Sequence, residues 1–244
     1  MKSCHILTYS FLFLITFQTT SSQVGECCSL KNSIASDPAV PGELFIFTGP
    51  IDNTTWFNKE WLLADLSLSN GEIARNRYVK YSGLLDELLW REPESNIIVK
   101  LDKSAILQFH FLNNQGDTSV YFRRLNVKRD LVPDSTEIFG EEIYRGKLSL
   151  YVLHTFFIER REVSAKNGVY FQNDIYTEVP IYYFRFMNDK TIGMKSLNRK
   201  SLYVIAPEKK EEIDHYFKQN KPGKNFNKSE LISLTQFLSS IVNQ

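Results

Sequence analysis

Hydrophobic and polar positions alternate most regularly between Trp61 and Phe111. Leu62, Ala64, Leu66 and Leu68 are interleaved with Leu63, Asp65, Ser67 and Ser69, the period of two that belongs to a strand with one buried and one largely wet face. Asn70-Gly71 follows, a pair that accepts the positive φ angles of a type I′ turn and so predicts a two-residue hairpin. The return strand, Ile73 to Tyr81, carries Tyr78, Val79 and Tyr81, which suit a pleated surface. A turn at Ser82-Gly83 leads to Leu88-Leu89-Trp90, and a break at Glu92–Asn96 precedes a strand from Ile97 to Leu101. Ala105, Leu107, Phe109 and Phe111 then alternate with Ile106, Gln108, His110 and Leu112. These short strands predict a meander that curls into half of a barrel or sandwich.

The pattern continues on both sides. Leu44 to Phe47 reads as a first strand ended by Gly49-Pro50, and Val120 to Arg123 as another strand after a turn at Asn113–Asp117. Lys128-Arg129-Asp130 and Val132-Pro133-Asp134 mark a looser connection. Ile138 to Tyr144, Arg145-Gly146-Lys147 and Leu148 to Glu159 form a second hairpin, with Leu148, Leu150 and Val152 on one face and Ser149, Tyr151 and Leu153 on the other. Arg160 to Glu178 is polar with scattered aromatics and reads as an insertion or long loop. Ile181–Met187 and Lys190–Met194 flank Asn188-Asp189 as a third hairpin.

From about Ser196 the spacing becomes helical. Leu197 to Ile205 predicts a short helix, and Pro207 opens a second in which Ile213, Tyr216 and Phe217 share a face until Pro222-Gly223 stops it. Asn227 followed by Glu230 is a capping-box start for a last helix whose stripe is Leu231, Leu234, Leu238 and Ile241. The fold class is therefore α+β: an antiparallel meander or curled sheet, a partial barrel or sandwich, followed by a C-terminal pair of helices packed on it. Four segments result, a leader over 1–22, a flexible lead-in over 23–43, a β-rich domain over 44–195 and a helical segment over 196–244.

The leader changes the picture most. Lys2 gives a positive end, Ile6–Phe17 a mostly apolar core and Thr20-Ser21-Ser22 small residues for a signal peptidase, with cleavage before Gln23. That run is too short to span a bilayer, and no other stretch reaches the roughly 20 apolar residues a span needs, so the mature chain is expected to be exported without a transmembrane segment. Cys27 and Cys28 are the cysteines that outlive cleavage; a vicinal disulfide, pairing with other chains and the reduced state are all open to them. Lys and Arg number 29 against 28 acids, which gives no electrostatic footprint for nucleic acid. Asn53-Thr54-Thr55 and Asn227-Lys228-Ser229 match glycosylation sequons, triplets that also arise by chance.

The order of a leader, strands containing Val79-Lys80-Tyr81 and Gly146-Lys147-Leu148-Ser149-Leu150-Tyr151, and a tail containing Tyr216-Phe217-Lys218-Gln219-Asn220-Lys221 resembles a family of uncharacterised exported proteins of Bacteroidota. The resemblance covers most of the mature chain from about Trp61. It implies an envelope location in a Gram-negative bacterium, periplasmic or extracellular, and brings no activity, cofactor or catalytic residue with it.

The chemistry-bearing residues are scattered. His110, His154 and His215 are isolated in sequence, without zinc spacing around them, and no nucleophile elbow or phosphate-binding glycine loop is present. The pairs Asp86-Glu87, Glu141-Glu142 and Glu211-Glu212 diverge on any regular element and read as solvated, as do the strand-end pairs Arg123-Arg124 and Arg160-Arg161. Trp56, Phe57 and Trp61 read as the lid of a core, with a sugar-stacking platform as the other use of such a cluster. No catalytic, cofactor-binding or metal-ligating residue is nominated. The function expected is a non-catalytic envelope or secreted protein that binds a partner protein, the cell surface or a glycan. The alternative is a hydrolase with a site between sheet and helices built from residues such as His110, His154 and Asp65.

Overall fold

The structure is a computed structural model that describes residues 38–46, 55–112, 120–127, 137–164, 170–223 and 225–242. The leader, Cys27, Cys28, the sequon at Asn53 and the turns expected at Asn113–Asp117 and Lys128–Asp134 lie outside the described residues. Among those described, the strands are β1 (Gly42–Leu44), β2 (Leu62–Leu68), β3 (Ile73–Ser82), β4 (Glu87–Arg91), β5 (Ile98–Leu101), β6 (Ile106–Phe111), β7 (Val120–Asn126), β8 (Glu137–Tyr144), β9 (Leu148–Ser164), β10 (Tyr170–Phe186) and β11 (Thr191–Met194). They form one antiparallel sheet in the order β1-β5-β4-β3-β2-β6-β7-β8-β9-β10-β11, curled but not closed. The helices α1 (Arg199–Leu202), α2 (Lys210–Asn220) and α3 (Lys228–Ile241) follow the last strand. The α+β class expected from the pattern is the class observed.

The curl is dictated by connectivity. After β5 the chain does not pair β6 with β5, as a plain meander would, but with β2 on the far side of β3 and β4. In a flat sheet that places β5 and β6 about 19 Å apart. The link Asp102–Ala105 contains a turn of 3-10 helix and is short, so the sheet bends until the end of β5 meets the start of β6. Inside the bend lie Leu66, Tyr81, Trp90, Phe109, Phe122 and Phe139, the first core. Phe109 stacks on Phe122 at 4.7 Å between ring centres, and Tyr81 leans on both.

One buried carboxylate ties the bend together. Asp86, in the β3–β4 turn with φ at 52°, accepts from the Tyr81 hydroxyl (2.7 Å) and from the Phe139 amide of β8 (3.0 Å), and forms an ion pair with Lys103 of the link. Burial pushes its pKa up, while Lys103 and its two neutral donors favour the charged form. Lys103 also donates to the Glu137 carbonyl, and Arg124 of β7 donates to the carbonyls of Lys103 (2.9 Å) and Ser104 (2.6 Å). Asp86 and Arg124, expected to be solvated, are therefore the stitches of the curl.

Local differences have local causes. Gly71 alone of the Asn70-Gly71 pair has positive φ (89°); its amide bonds to the Leu68 carbonyl while the Leu68 amide bonds to that of Glu72, a three-residue loop ending in a glycine bulge rather than a type I′ turn. A register shift between β2 and β6 leaves Leu107 as the extra residue, so Ile106 is buried and Leu107 exposed, reversing the expected alternation there. The first strand sits earlier than Leu44–Phe47, because Gly42 lies against the Lys100 carbonyl where a Cβ would stand 2.5 Å away. The helix expected over Leu197–Ile205 is the single turn α1, and Pro207 opens a 3-10 turn before α2.

The helices cover the other end of the sheet. Leu148, Leu150 and Val152 of β9 meet Leu202, Ile213, Leu231, Leu234 and Leu238 in a second core, and Tyr216 of α2 stacks on Phe237 of α3 at 4.5 Å. The Asn227–Glu230 capping box forms as its sequence spacing predicts. Among the described residues no helix is long and apolar enough to cross a membrane.

Two stability effects follow. Asp86→Ala removes the charged acceptor that Lys103, the Tyr81 hydroxyl and the Phe139 amide share, and costs about 3 kcal/mol or more in urea unfolding; a loss below about 1 kcal/mol would deny the node its role. Gly71→Ala strains a positive φ with open space around it, and costs about 1 kcal/mol in the same assay.

Candidate functional site

Within the segment Arg160–Glu178, expected as a long loop, residues 160–164 and 170–178 instead continue the strands β9 and β10. β9 and β10 pair without interruption from Leu148↔Phe186 to Ser164↔Tyr170. Their neighbours stop early: the β8 ladder reaches Val152 on β9, and the β11 ladder reaches Tyr182 on β10. Beyond His154 and Pro180 no strand among the described residues flanks either one. The pair therefore continues as a two-stranded arm about 35 Å long. Proline at its base has no amide hydrogen to offer a further strand.

The arm carries an apolar stripe. On one face of the hairpin Tyr151, Leu153, Ile181 and Tyr183 are buried in a third core with Leu125, Val127 and Ile138. Alternation continues that face outward through Val179 and Phe157, and these two are 37% and 61% exposed. The opposite face carries Ile158, 43% exposed, across from Tyr176. Charged residues flank the stripe: Arg160 faces Asp174 at 3.6 Å, and Arg161 pairs with Glu159 at 2.9 Å along its own strand. Both arginines are exposed, as expected for a solvated pair.

A histidine fixes the base of the arm. The His154 ring donates from Nδ1 to Glu178 Oε1 (2.6 Å) and from Nε2 to Glu141 Oε2 (3.1 Å), and the other Glu141 oxygen accepts from Lys228 Nζ at 2.9 Å. The chain of charges runs from β10 through β9 and β8 to the first residue of α3. The ring packs edge-on against Phe57 at 5.0 Å, and Gly83 lies so near that a Cβ there would stand 2.8 Å from the His154 carbonyl. Burial alone would lower the imidazolium pKa, but the two carboxylates overcome it and raise it from 6.5 to about 9. Burial likewise works to raise Glu141, yet His154 and Lys228 hold it below its ordinary value; the hydrogen bond from His154 lowers Glu178.

Of the residues singled out for a dispersed hydrolase site, His110 and Asp65 are neighbours and His154 lies apart from them. His110 lies 3.8 Å from Asp65 and stacks on Tyr121 at 4.9 Å, whereas His154 packs on Phe57 and Phe122. Tyr121 and Phe122 are neighbours on β7 and point to opposite faces, so the two histidines are on opposite sides of the sheet. Asp65 is committed to the backbone, accepting from the Asn76 amide (2.9 Å) at a bulge of β3. His215 lies apart on α2, in a shallow groove with Tyr216 and Phe237. Among the described residues no group of three or more His, Cys, Asp or Glu could hold a metal ion. Phe57 belongs to the first core, Trp56 is covered by Lys80 at 5.0 Å and Trp61 by Arg91 at 5.3 Å, so the aromatic cluster acts as a lid.

Glu141 and Glu142, expected to be solvated, are both largely buried and paired with cations, and they point to opposite faces as adjacent strand residues must. Burial of Glu141 was hidden because His154 and Lys228 come from positions 13 and 87 residues away. The arm was hidden because a ribbon wet on both sides has neither the alternation of a half-buried strand nor the apolar run of a buried one.

Because the folded pKa of His154 stands above its unfolded value, the clamp's stabilisation is fully present below pH 6.5 and is lost as pH rises through about 9. It amounts to at most about 3 kcal/mol at neutral pH. Urea unfolding followed from neutral pH to about pH 10 should show this alkaline loss, and His154→Gln should start lower and remove most of the slope. No known family model, curated protein or solved structure matches this chain.

Proposed function

We propose that the chain is an exported, non-catalytic interaction protein of a Gram-negative cell envelope, in the periplasm or outside the cell, that binds a partner protein along the β9–β10 arm. One observation carries the reading: the apolar stripe of the third core runs uncovered onto the arm at Val179 and Phe157, beside two strand edges without neighbours among the described residues. A two-stranded ribbon is marginal in water by itself, and its open main-chain groups suit the addition of a strand from another protein. Main-chain pairing would supply the contact, and the exposed side chains of Phe157 and Val179 the choice of sequence.

Export is supported by the composition of residues 1–22, and the envelope setting by the resemblance of Val79–Tyr81, Gly146–Tyr151 and Tyr216–Lys221 to exported proteins of Bacteroidota. His154 suits the same reading as a structural group, since both ring nitrogens are taken by carboxylates and neither is free to serve as a general base.

Affinity capture from envelope extracts with the mature chain tests the function. The expected result is a protein retained by the native chain and lost with the double variant Phe157→Asp/Val179→Asp, whose thermal unfolding stays near native because both sites are exposed. Retention undiminished in the variant, or recovery of a glycan in place of a protein, would contradict the arm as the binding element. The mature N-terminus should be Gln23; a chain beginning at Met1 would contradict export.

A further inference from the structure

On the face of β9 that bears the apolar stripe, but toward the β8–β9 turn, three guanidinium groups from three elements surround one open cleft of about 250 Å³. They belong to Arg123 on β7, Arg145 in the turn and Arg185 on β10, with Ser149 and Tyr151 of β9 between them. Two carboxylates answer the three cations. Glu142 Oε2 accepts from Arg145 at 2.8 Å and lies 3.7 Å from Arg123 Nε, and Asp189 Oδ1 accepts from Arg185 at 2.6 and 3.1 Å.

The compensation is incomplete. Arg123 Nε is shielded from solvent and has no hydrogen-bond partner; among this side chain's nitrogens Nη2 donates to Gln108 at 3.1 Å. Asp189, the counter-ion of Arg185, is 76% exposed at its side chain and held within one hairpin loop, so it can swing away at little cost. Glu142 is 11% exposed and fixed between two arginines, where it orients them. Three guanidinium groups lining one concave site, one of them with a displaceable counter-ion, and a surplus of positive charge are the elements of an anion receptor.

We propose that this cleft binds a tetrahedral oxyanion, the phosphate or sulfate group of a ligand, through Arg123, Arg145 and Arg185, with the Ser149 and Tyr151 hydroxyls as further donors. Donors that come from three strands and a turn approach from different directions. That arrangement serves a tetrahedral group, whereas a planar carboxylate is satisfied by a single guanidinium fork. The entering anion takes the place of Asp189 on Arg185. This site is independent of the arm, and either can stand without the other.

The test is calorimetric and NMR titration of the mature chain with inorganic phosphate, sulfate and acetate in parallel at low ionic strength, following the arginine Nε–H signals. Phosphate or sulfate should bind with millimolar affinity or better and shift the signals of Arg123, Arg145 and Arg185. Arg145→Gln and Arg185→Gln, both at well-exposed positions, should each weaken binding about tenfold or more, and Arg160→Gln on the arm should leave it unchanged. Asp189→Asn, by removing the competing carboxylate, should tighten it. No saturable binding of phosphate or sulfate, or equal weakening by Arg160→Gln, would overturn the site. Acetate binding as tightly as both would overturn the tetrahedral assignment.

Discussion

The architecture depends on a charge held where charge is expensive. The Asp86 carboxylate is nearly solvent-free, and it is kept there by the phenol of nearby Tyr81 together with a lysine and a main-chain amide from farther along the chain. Without them the unpaired carboxylate would either protonate or draw the turn back toward water. With them, the β3–β4 turn, the β5–β6 link and β8 are fixed against one another, and the bend that lets β6 pair with β2 becomes the stable course of the sheet. Everything beyond β6 is placed by that bend, including the strands that carry the arm.

A second buried junction does for the arm what the first does for the curl. His154 sits where β9 leaves the sheet, and its two carboxylate partners lie on β8 and on β10, with Lys228 bringing in the start of α3. Buried ion pairs contribute little net stability compared with apolar packing, but they penalise every arrangement in which one partner is missing. A two-stranded ribbon prone to slip in register is thereby anchored at one end, against the sheet and against a helix at once. The arm is a lever with a fixed fulcrum, and its apolar stripe is presented in one orientation.

Local chemistry in the sequence foretold local structure well. The alternation at Leu62–Leu68, the break at Glu92–Asn96, the hairpin around Asn188-Asp189 and the box at Asn227–Glu230 all rest on residues within a few positions of one another. Long-range partners were invisible: Asp86 is silent until Lys103 and Phe139 fold onto it, and Glu141 until His154 and Lys228 do. Bulges defeated the alternation at Leu107, since one extra residue reverses which side chains face the core. The arm was missed for a different reason. Phe157 and Ile158 are exposed on opposite faces, so no hydrophobic period marks it, and what remains is a modest enrichment in Ile, Val, Tyr and Phe at positions such as Phe157, Ile175, Tyr176 and Val179.

β9 and β10 leave the sheet as a ribbon whose edges have no neighbour among the described residues, and amide hydrogen exchange on the isolated mature protein measures that directly. In each strand of a ribbon alternate amides point to the partner strand and away from it. Strong protection is expected throughout Leu148–Val152 and Tyr182–Phe186, and an alternating record of protected and fast-exchanging amides over Thr155–Arg161 and Asp174–Val179. Uniform protection of the arm, equal to that of the sheet, would mean that another strand already covers it, and would contradict the claim.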